Sequence, residues 1–394
     1  MFKVMVTCPF CYRPINRLFL EFVCSGRNAP GYERCQKSVD QRRKDETYSE
    51  EPMYPVFSRR WRWLPSPRRE TCPRCRGKTG QHACPACHTP LPANFGGGFS
   101  PVIALIGAQR TGKTVYLTVI ASHLRTVLRD RFTADVSLYG DEARTWLTEN
   151  VNAIFELGTL PELTPHPATG RSEPLVFEWR RRSESLLHRY QSSYLSFLDT
   201  AGESLGTQRA IEELKFLTNV DAFILMLDPF TLPKAVQDLA LPKSAPTAAF
   251  NAIDVLSQVT NILRNAEGVL RGGKITKPVA LAFAKIDAFE GVLGKGHPIF
   301  RAEADDSWYD EAAGRAIHDS VRELIRDWGA RDIDEHMEAH YAHYRYSALS
   351  SLGRQPDYEG LRVARGGVQP KRVADPLVWL LSWYNLVPRR DSGG

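Results

Sequence analysis

The sequence predicts an α/β fold, a mostly parallel sheet with helices on both faces, preceded by a small Cys-rich module. Three observations carry this. The short apolar run Val102-Ile-Ala-Leu-Ile106 reads as a buried strand and leads directly into Gly107-Ala-Gln-Arg-Thr-Gly-Lys-Thr114, which fits the phosphate-binding pattern G-x-x-x-x-G-K-[ST] at every fixed position. Further apolar runs, at 222–227 and 279–283, alternate with a segment of helical periodicity at 251–270. All eight cysteines lie before residue 88, six of them in Cys-Pro-x-Cys pairs. At 394 residues the chain suits one large α/β domain, 99–394, and a smaller zinc-binding unit, 1–98.

The pairs are Cys8/Cys11, Cys72/Cys75 and Cys84/Cys87. Eight residues separate the second pair from the third, which suits two metal-binding knuckles facing each other across a short hairpin. That spacing predicts one four-Cys zinc site from Cys72, Cys75, Cys84 and Cys87. Cys8, Cys11, Cys24 and Cys35 then make a second. His82 and His88 stand close enough to replace a thiolate, but four cysteines already close the site. A disulfide framework would need an oxidising compartment. Redox chemistry would need βαβ surroundings that the pairs lack. Two structural Zn²⁺ ions are the expectation.

Lys+Arg exceed Asp+Glu by 17 to 8 over residues 1–98, while the remainder carries 34 against 37. The basic excess of +9 therefore sits entirely ahead of the phosphate loop, and two four-thiolate zinc sites of about −2 each would lower it to about +5. Charge alone is a weak argument for nucleic acid. The basic insertion 41–70 interleaves Arg59, Arg60 and Arg62 with Trp61 and Trp63, a pattern that can stack on nucleic acid or dock on a partner. A solvated linker is the preferred reading, and the glycine-rich stretch at 92–98 reads as a hinge. No apolar run approaches the ~20 residues that span a bilayer. The first residues lack a secretory signal, so the expectation is a soluble cytoplasmic chain.

In the larger domain, the residues after Thr114 contain no Gly or Pro through Leu124, so a helix can begin at the loop and aim its N–H groups at a phosphate. Gly107 and Gly112 let the backbone wrap the phosphates together with Ala108, Gln109, Arg110 and Thr111. Lys113 would reach the β and γ phosphates, and the Thr114 hydroxyl would hold Mg²⁺. A short strand at 134–138 and a helix at 141–157 precede the polar, proline-rich stretch 158–174, where a nucleotide-sensing segment would supply a threonine. Thr159, Thr164 and Thr169 are candidates, Thr164 slightly preferred.

Two antiparallel strands, at 175–182 and 194–198, lead into Asp199-Thr-Ala-Gly-Glu203. Asp199 at a strand end suits a Mg²⁺ site, and Gly202 can offer its N–H to a γ-phosphate. After the strand at 279–283 comes Ala284-Lys-Ile-Asp287. The Asp287 carboxylate can accept from both N1–H and N2–H of guanine while the alkyl stem of Lys285 covers the base. Adenine lacks that donor pair. A last strand at 341–346 delivers Ser347 and Ala348, where a backbone N–H could meet the guanine oxygen. The Trp-rich stretch 375–386 closes the chain as a packing helix.

In this order the motifs at 107–114, 199–202, 285–287 and 347–348 resemble those of a Ras-like P-loop GTPase of the TRAFAC class. With the Cys-Pro-x-Cys knuckles ahead of them, the chain resembles the bacterial zinc-ribbon GTPases of the double-GTPase type. That family is associated with multi-component signalling or conflict systems. The resemblance implies a bacterial cytoplasmic switch that binds GTP and GDP with Mg²⁺ and acts on protein partners, an effector or a GTPase activator. Three positions depart from the pattern. Ala284 replaces an Asn that braces the phosphate loop. Glu203 replaces the Gln that orients water, which points to slow intrinsic hydrolysis or to a different water-positioning group. Arg110 lies inside the loop, where it could act as an arginine finger in cis or stay at the surface. The competing readings are a nucleotide-binding scaffold with negligible turnover and a nucleic-acid-associated P-loop ATPase.

Overall fold

The computed structural model describes residues 4–391 apart from 48, 60–64, 94, 96–98, 162–173, 183–189, 200–213, 238, 240, 242–244, 246–250 and 271. Its centre is a seven-stranded sheet. In chain order the strands are β1 (Val102–Gly107), β2 (Ala134–Tyr139), β3 (Leu175–Arg182), β4 (Tyr190–Asp199), β5 (Ala222–Leu227), β6 (Val279–Phe283) and β7 (Tyr344–Ala348). Their spatial order is β7-β6-β5-β1-β4-β3-β2. The pairs from β7 to β4 are parallel, and β3 runs antiparallel to both β4 and β2. The phosphate-loop strand β1 is thus central.

Strands buried on both faces read as unbroken apolar runs, and β1, β5 and β6 do so because each face has its own core. Ala104, Ile106, Phe223, Leu225, Leu281 and Phe283 point to one side. That side is covered by α3 (Ala252–Glu267), α4 (Glu311–Asp327) and α5 (Arg331–His340). Ile103, Leu105, Ile224 and Met226 point to the other, under α1 (Lys113–Arg125), α2 (Asp141–Val151) and the C-terminal α6 (Asp375–Trp383). On that second face β6 presents only Ala280 and Ala282, followed by Ala284 just past its end, and the bulky Leu377, Trp379, Leu380 and Leu381 of α6 belong to the same cluster. Each such side chain contributes about 1.5–3 kcal/mol when buried.

The helix that begins at the loop breaks at Thr126, whose ψ of −89° is not helical, and restarts over Val127–Arg131. The stretch 141–157 is helical to Val151 and then widens into a π turn, Asn152–Glu156. Helices α4 and α5 carry charge all along their outer faces and were not anticipated. Asp334 of α5 holds them together, accepting from Arg322 Nε at 2.8 Å, Arg326 Nη2 at 2.9 Å and the Tyr346 hydroxyl at 3.0 Å.

The amino-terminal region is folded onto the sheet. Hairpin Met5–Thr7/Pro14–Asn16 carries the Cys8/Cys11 knuckle and hairpin Glu70–Thr71/Lys78–Thr79 carries Cys72/Cys75. The strand Glu21–Val23 pairs with both Val56–Phe57 and His82–Ala83. The insertion 41–70 is therefore not a linker along its described length. It forms helix Gln41–Thr47, pairs one strand and buries Met53 and Arg43. Residues 60–64, with Trp61 and Trp63, and the glycines at 96–98 lie outside the described residues.

Candidate functional site

The registers of the parallel strands bring the motifs to one edge. Asp199 lies level with Leu105, Met226 with Gly107, Leu227 with Phe283 and Phe283 with Ala348. The phosphate loop, Asp199, the Asp228 turn, the Lys285–Asp287 turn and Ser347–Ala348 therefore emerge side by side at the carboxyl ends of adjacent strands, where open α/β sheets bind ligands.

At the phosphate loop, a Cβ on Gly107 would meet the Met226 carbonyl oxygen at 2.7 Å and Thr111 Oγ1 at 3.0 Å, so only glycine fits there. Gly112 takes φ +91° and Arg110 φ +69°, which turns the backbone into the amino end of α1. The buried Thr111 donates its hydroxyl to the Ala108 carbonyl at 2.9 Å. Lys113, also buried, donates to the carbonyls of Gly107 and Ala108, both at 2.9 Å. Its ammonium is thus held at the mouth of the loop. Gln109 and Thr114 are half-buried and Arg110 is exposed. Among the described residues no side chain caps α1, which begins at Lys113 directly after the glycine turn.

On the base side, Lys285 takes a left-handed φ of +55° and its ammonium pairs with Asp228 at 2.7 Å, 5.0 Å from the centre of the Phe230 ring. Asp228 Oδ1 also accepts the Phe230 N–H at 3.0 Å. Asp228 reads in the sequence as the start of a proline loop, and no motif marks it. Burial pushes the Asp287 carboxyl up, against the Ser350 hydroxyl and its own N–H, which stabilise the anion. Ser347 is buried with its hydroxyl 3.5 Å from the Leu281 carbonyl, and the N–H of Leu349 bonds the Phe283 carbonyl at 2.8 Å. Ala284 sits in the apolar cluster under α6, with its N–H on the Leu227 carbonyl at 3.0 Å, so an amide side chain there would be placed among apolar groups.

Thr159 is turned back on its own segment, its hydroxyl and N–H both donating to the Ala153 carbonyl, at 3.1 and 2.8 Å. Thr164, Thr169, Gly202 and Glu203 lie outside the described residues, as does the Asp199 side chain.

The cysteines form two buried groups, but not in the expected sets. Cys8 and Cys11 gather with Cys84 and Cys87, and Cys24 and Cys35 with Cys72 and Cys75. The expectation that Cys72/Cys75 would face Cys84/Cys87 fails for a reason of strand pairing. The intervening residues split between two hairpin partners, Lys78–Thr79 returning to Glu70–Thr71 while His82–Ala83 crosses to Glu21–Val23. The two knuckles therefore point into different sites.

Each Cys-Pro-x-Cys pair makes the same turn. The N–H of Tyr12, Arg76 and His88 returns to the carbonyl of Cys8, Cys72 and Cys84, at 3.0, 3.0 and 2.8 Å. These three residues have φ of +59°, +57° and +57°. Sγ–Sγ distances are 3.9 Å for both Cys8–Cys87 and Cys11–Cys84, 3.4 Å for Cys24–Cys75 and 4.0 Å for Cys35–Cys72. A tetrahedral ion with bonds of about 2.3 Å spaces its sulfurs by about 3.8 Å. None of the eight is in a disulfide. Burial pushes the thiols of Cys8, Cys24 and Cys35 up. Burial works upward on Cys75 too, but the Gly77 N–H and the neighbouring thiols outweigh it and bring Cys75 down to about 7. Four buried thiols gathered at the spacing of a tetrahedral ligand set can be ionised together when a divalent cation offsets their charge. The donor set therefore fits Zn²⁺.

Neither candidate histidine is a ligand. His88 bridges two carboxylates, with Nδ1 2.9 Å from Asp40 and Nε2 3.2 Å from Glu21. His82 Nε2 lies 3.2 Å from the Pro67 carbonyl.

No family model matches the chain. It is 28% identical over 324 residues to SaeC of Mycolicibacterium smegmatis, a protein named for a proposed role in ESX-1 scaffolding and assembly, covering 77% of this chain and 80% of that one. Among solved structures, the GTPase-like domain of S. cerevisiae Ski7, bound to GDP and inorganic phosphate, is 13% identical with a TM-score of 0.37, over 73% of this chain and 50% of that one. The bacterial selenocysteine-specific elongation factor EF-Sec is 13% identical with a TM-score of 0.24, over 67% and 27%. The chain spans about half the length of the Ski7 chain that it matches. Among the described residues, no helix is long and apolar enough to cross a membrane.

Proposed function

We propose that this chain binds and hydrolyses GTP as a Mg²⁺-dependent switch of Ras-like type, with two structural Zn²⁺ ions in its amino-terminal module, within a bacterial multi-component system. The observation that carries the reading is the register: the glycine loop with its lysine, the strand ending in Asp199 and the Lys285–Asp287 turn all open at one sheet edge. Gly107, Gly112 and the amino end of α1 supply N–H groups to the phosphates, with Ala108, Gln109, Arg110 and Thr111 forming the rest of the loop. Lys113, already gathered at the loop mouth, neutralises charge that develops on the γ-phosphate as water attacks. Thr114 and Asp199 would hold Mg²⁺, which when bound neutralises the phosphate oxygens. The motifs assign Gly202 to the γ-phosphate, Glu203 to the attacking water and Thr164 to the switch. Asp287 recognises guanine, with Lys285 and Ser347–Ala348 framing the base.

Titration of the wild-type protein and of Asp287→Ala with GDP, GTP, ADP and ATP in Mg²⁺ tests this. Guanine nucleotides should bind at least about ten-fold more tightly than adenine nucleotides, and the variant should lose the difference, since two hydrogen bonds to a charged group are at stake. Equal binding of adenine by the wild type would sink the guanine reading and leave the ATPase alternative.

The similarity to a protein connected with scaffolding favours a second reading, in which nucleotide holds the fold for protein partners and turnover is negligible. Single-turnover rates at saturating Mg·GTP decide. A measurable rate that Lys113→Ala lowers at least about a hundred-fold supports the switch. A rate no faster than that of the variant supports the scaffold.

A further inference from the structure

Between the phosphate loop and the Lys285 turn stands a carboxylate that belongs to no motif. Asp228 directly follows β5, the strand that separates β1 from β6, and Pro229 after it opens a single 3₁₀ turn, Pro229–Thr231. Its side chain has 0% exposure, where a charge is kept only with partners of its own. The two oxygens divide the work. Oδ1 accepts the Phe230 N–H at 3.0 Å and caps the turn, while Oδ2 accepts from the Lys285 ammonium at 2.7 Å. An asparagine could cap with its oxygen but would turn an NH₂ group toward the ammonium, so only a carboxylate serves both partners.

Lys285 is fixed at both ends. Its φ of +55° lies in a region that few residues other than glycine adopt, and the neighbouring backbone holds it there. The Ala284 N–H bonds the Leu227 carbonyl at 3.0 Å and the Ile286 N–H bonds the Leu349 carbonyl at 3.2 Å, so β5 and the end of β7 grip the turn from either side. The ammonium at the far end rests on Asp228, 5.0 Å from the centre of the Phe230 ring. That ring is itself packed, with Phe289 at 6.2 Å and Trp328 behind Phe289 at 4.8 Å between ring centres. A lysine free in solvent loses its rotamer freedom when it covers a ligand, whereas here that entropy is already lost in folding. Ala284, where the related motif has an amide, lies in the apolar cluster under α6 and offers the turn no polar side chain.

We propose that Asp228 is the positioning residue of the base site: it pins the Lys285 ammonium so that the alkyl stem is laid out in advance as an apolar cover for a purine, in place of the amide that Ala284 lacks. The proposal rests on the reading above that puts a guanine nucleotide at Lys285 and Asp287. It also separates two tasks. Asp287 tells guanine from adenine, whereas a hydrocarbon cover serves any purine.

The test uses the full chain in Mg²⁺ with GDP, ADP and pyrophosphate as probes, the last reading the phosphate loop alone. Asp228→Asn keeps the cap and loses the pin, and Lys285→Met keeps an apolar stem without the charge. The double variant leaves no buried charge unpaired, so it guards against a mere loss of fold. Each of the three should bind GDP and ADP about ten-fold more weakly, hold pyrophosphate within about twofold of the wild type and keep the wild-type ratio of GDP to ADP. The double variant should be no weaker than either single one, because the two residues act as a unit. Wild-type binding of GDP by the double variant, additive losses, or a parallel loss of pyrophosphate would each overturn the positioning role. If Asp287→Ala abolishes the guanine preference while the Asp228 and Lys285 variants bind like the wild type, the pin falls and the guanine reading stands. If Asp287→Ala leaves the preference unchanged, the guanine reading falls, and the loss of both purines in the double variant still decides the pin.

Discussion

Glu303 is pushed up to about 7 by burial and by the neighbouring Asp375, against the Ala374 N–H and the charges of Arg372 and Arg131. Burial also raises Asp375, which pairs with Arg372 at 2.6 Å. A carboxyl that ionises near 4.3 when unfolded and near 7 when folded binds more protons in the folded state between those values. Stability is then lost as pH rises through that window. Glu303→Gln should remove this loss, raising Tm at pH 8 by roughly 2 °C while changing little at pH 4. Thermal unfolding across pH 4 to 8 checks it, and equal slopes for both proteins would refute it. Nothing in the sequence marks Glu303, because its partners come from 131 and 372–375 and meet only in the fold. The same is true of Asp228, whose pairing with Lys285 requires β5 and β6 to lie side by side.

At the scale of elements, what could be read in advance follows from burial. Strands β5 and β6 were legible to the residue because parallel strands packed on both faces must be apolar throughout. The tight turn at 107–112 was legible because Gly107 and Gly112 answer a close contact and a left-handed turn that other residues cannot meet. Helices α4 and α5 were missed because a charged outer face and a narrow buried stripe, Ile317, Val321, Leu324 and Ile325 on α4, leave only a weak pattern in the sequence. The cysteine knuckles were recognisable by their local turn, whereas their grouping was not. It depends on pairing between strands only two or three residues long, such as Glu21–Val23 with His82–Ala83, and so little pairing leaves no periodic signal.

Across the whole molecule the two metal sites stand in unequal relation to the sheet. The Cys8/Cys11/Cys84/Cys87 group packs with Val176 of β3 and Tyr194 of β4, and the Ser196 hydroxyl of β4 donates to the Pro9 carbonyl at 2.9 Å. The Cys24/Cys35/Cys72/Cys75 group packs with Tyr54 and Phe57 of its own module. Since β4 ends at Asp199, loss of the first metal should reach the nucleotide site and loss of the second should not. Purified protein should hold two zinc ions per chain. Cys11→Ser should lower Tm and speed GDP release several-fold, while Cys75→Ser should leave GDP release within about twofold. Equal effects of the two variants would contradict this asymmetry.

The nesting of these two sites also bears on how the chain assembles. Closing Cys11 onto Cys84 directly spans 73 residues. If Cys24 and Cys75 are joined first, the free path shrinks to roughly 22 residues, the 13 from Cys11 to Cys24 and the 9 from Cys75 to Cys84, and loop-closure entropy falls by about 1 kcal/mol. The inner metal thus lowers the barrier to the outer one. Both sites can be complete before the phosphate loop leaves the ribosome, so the sheet would be made against a knuckle that is already in place, with the metal supply setting the order of events.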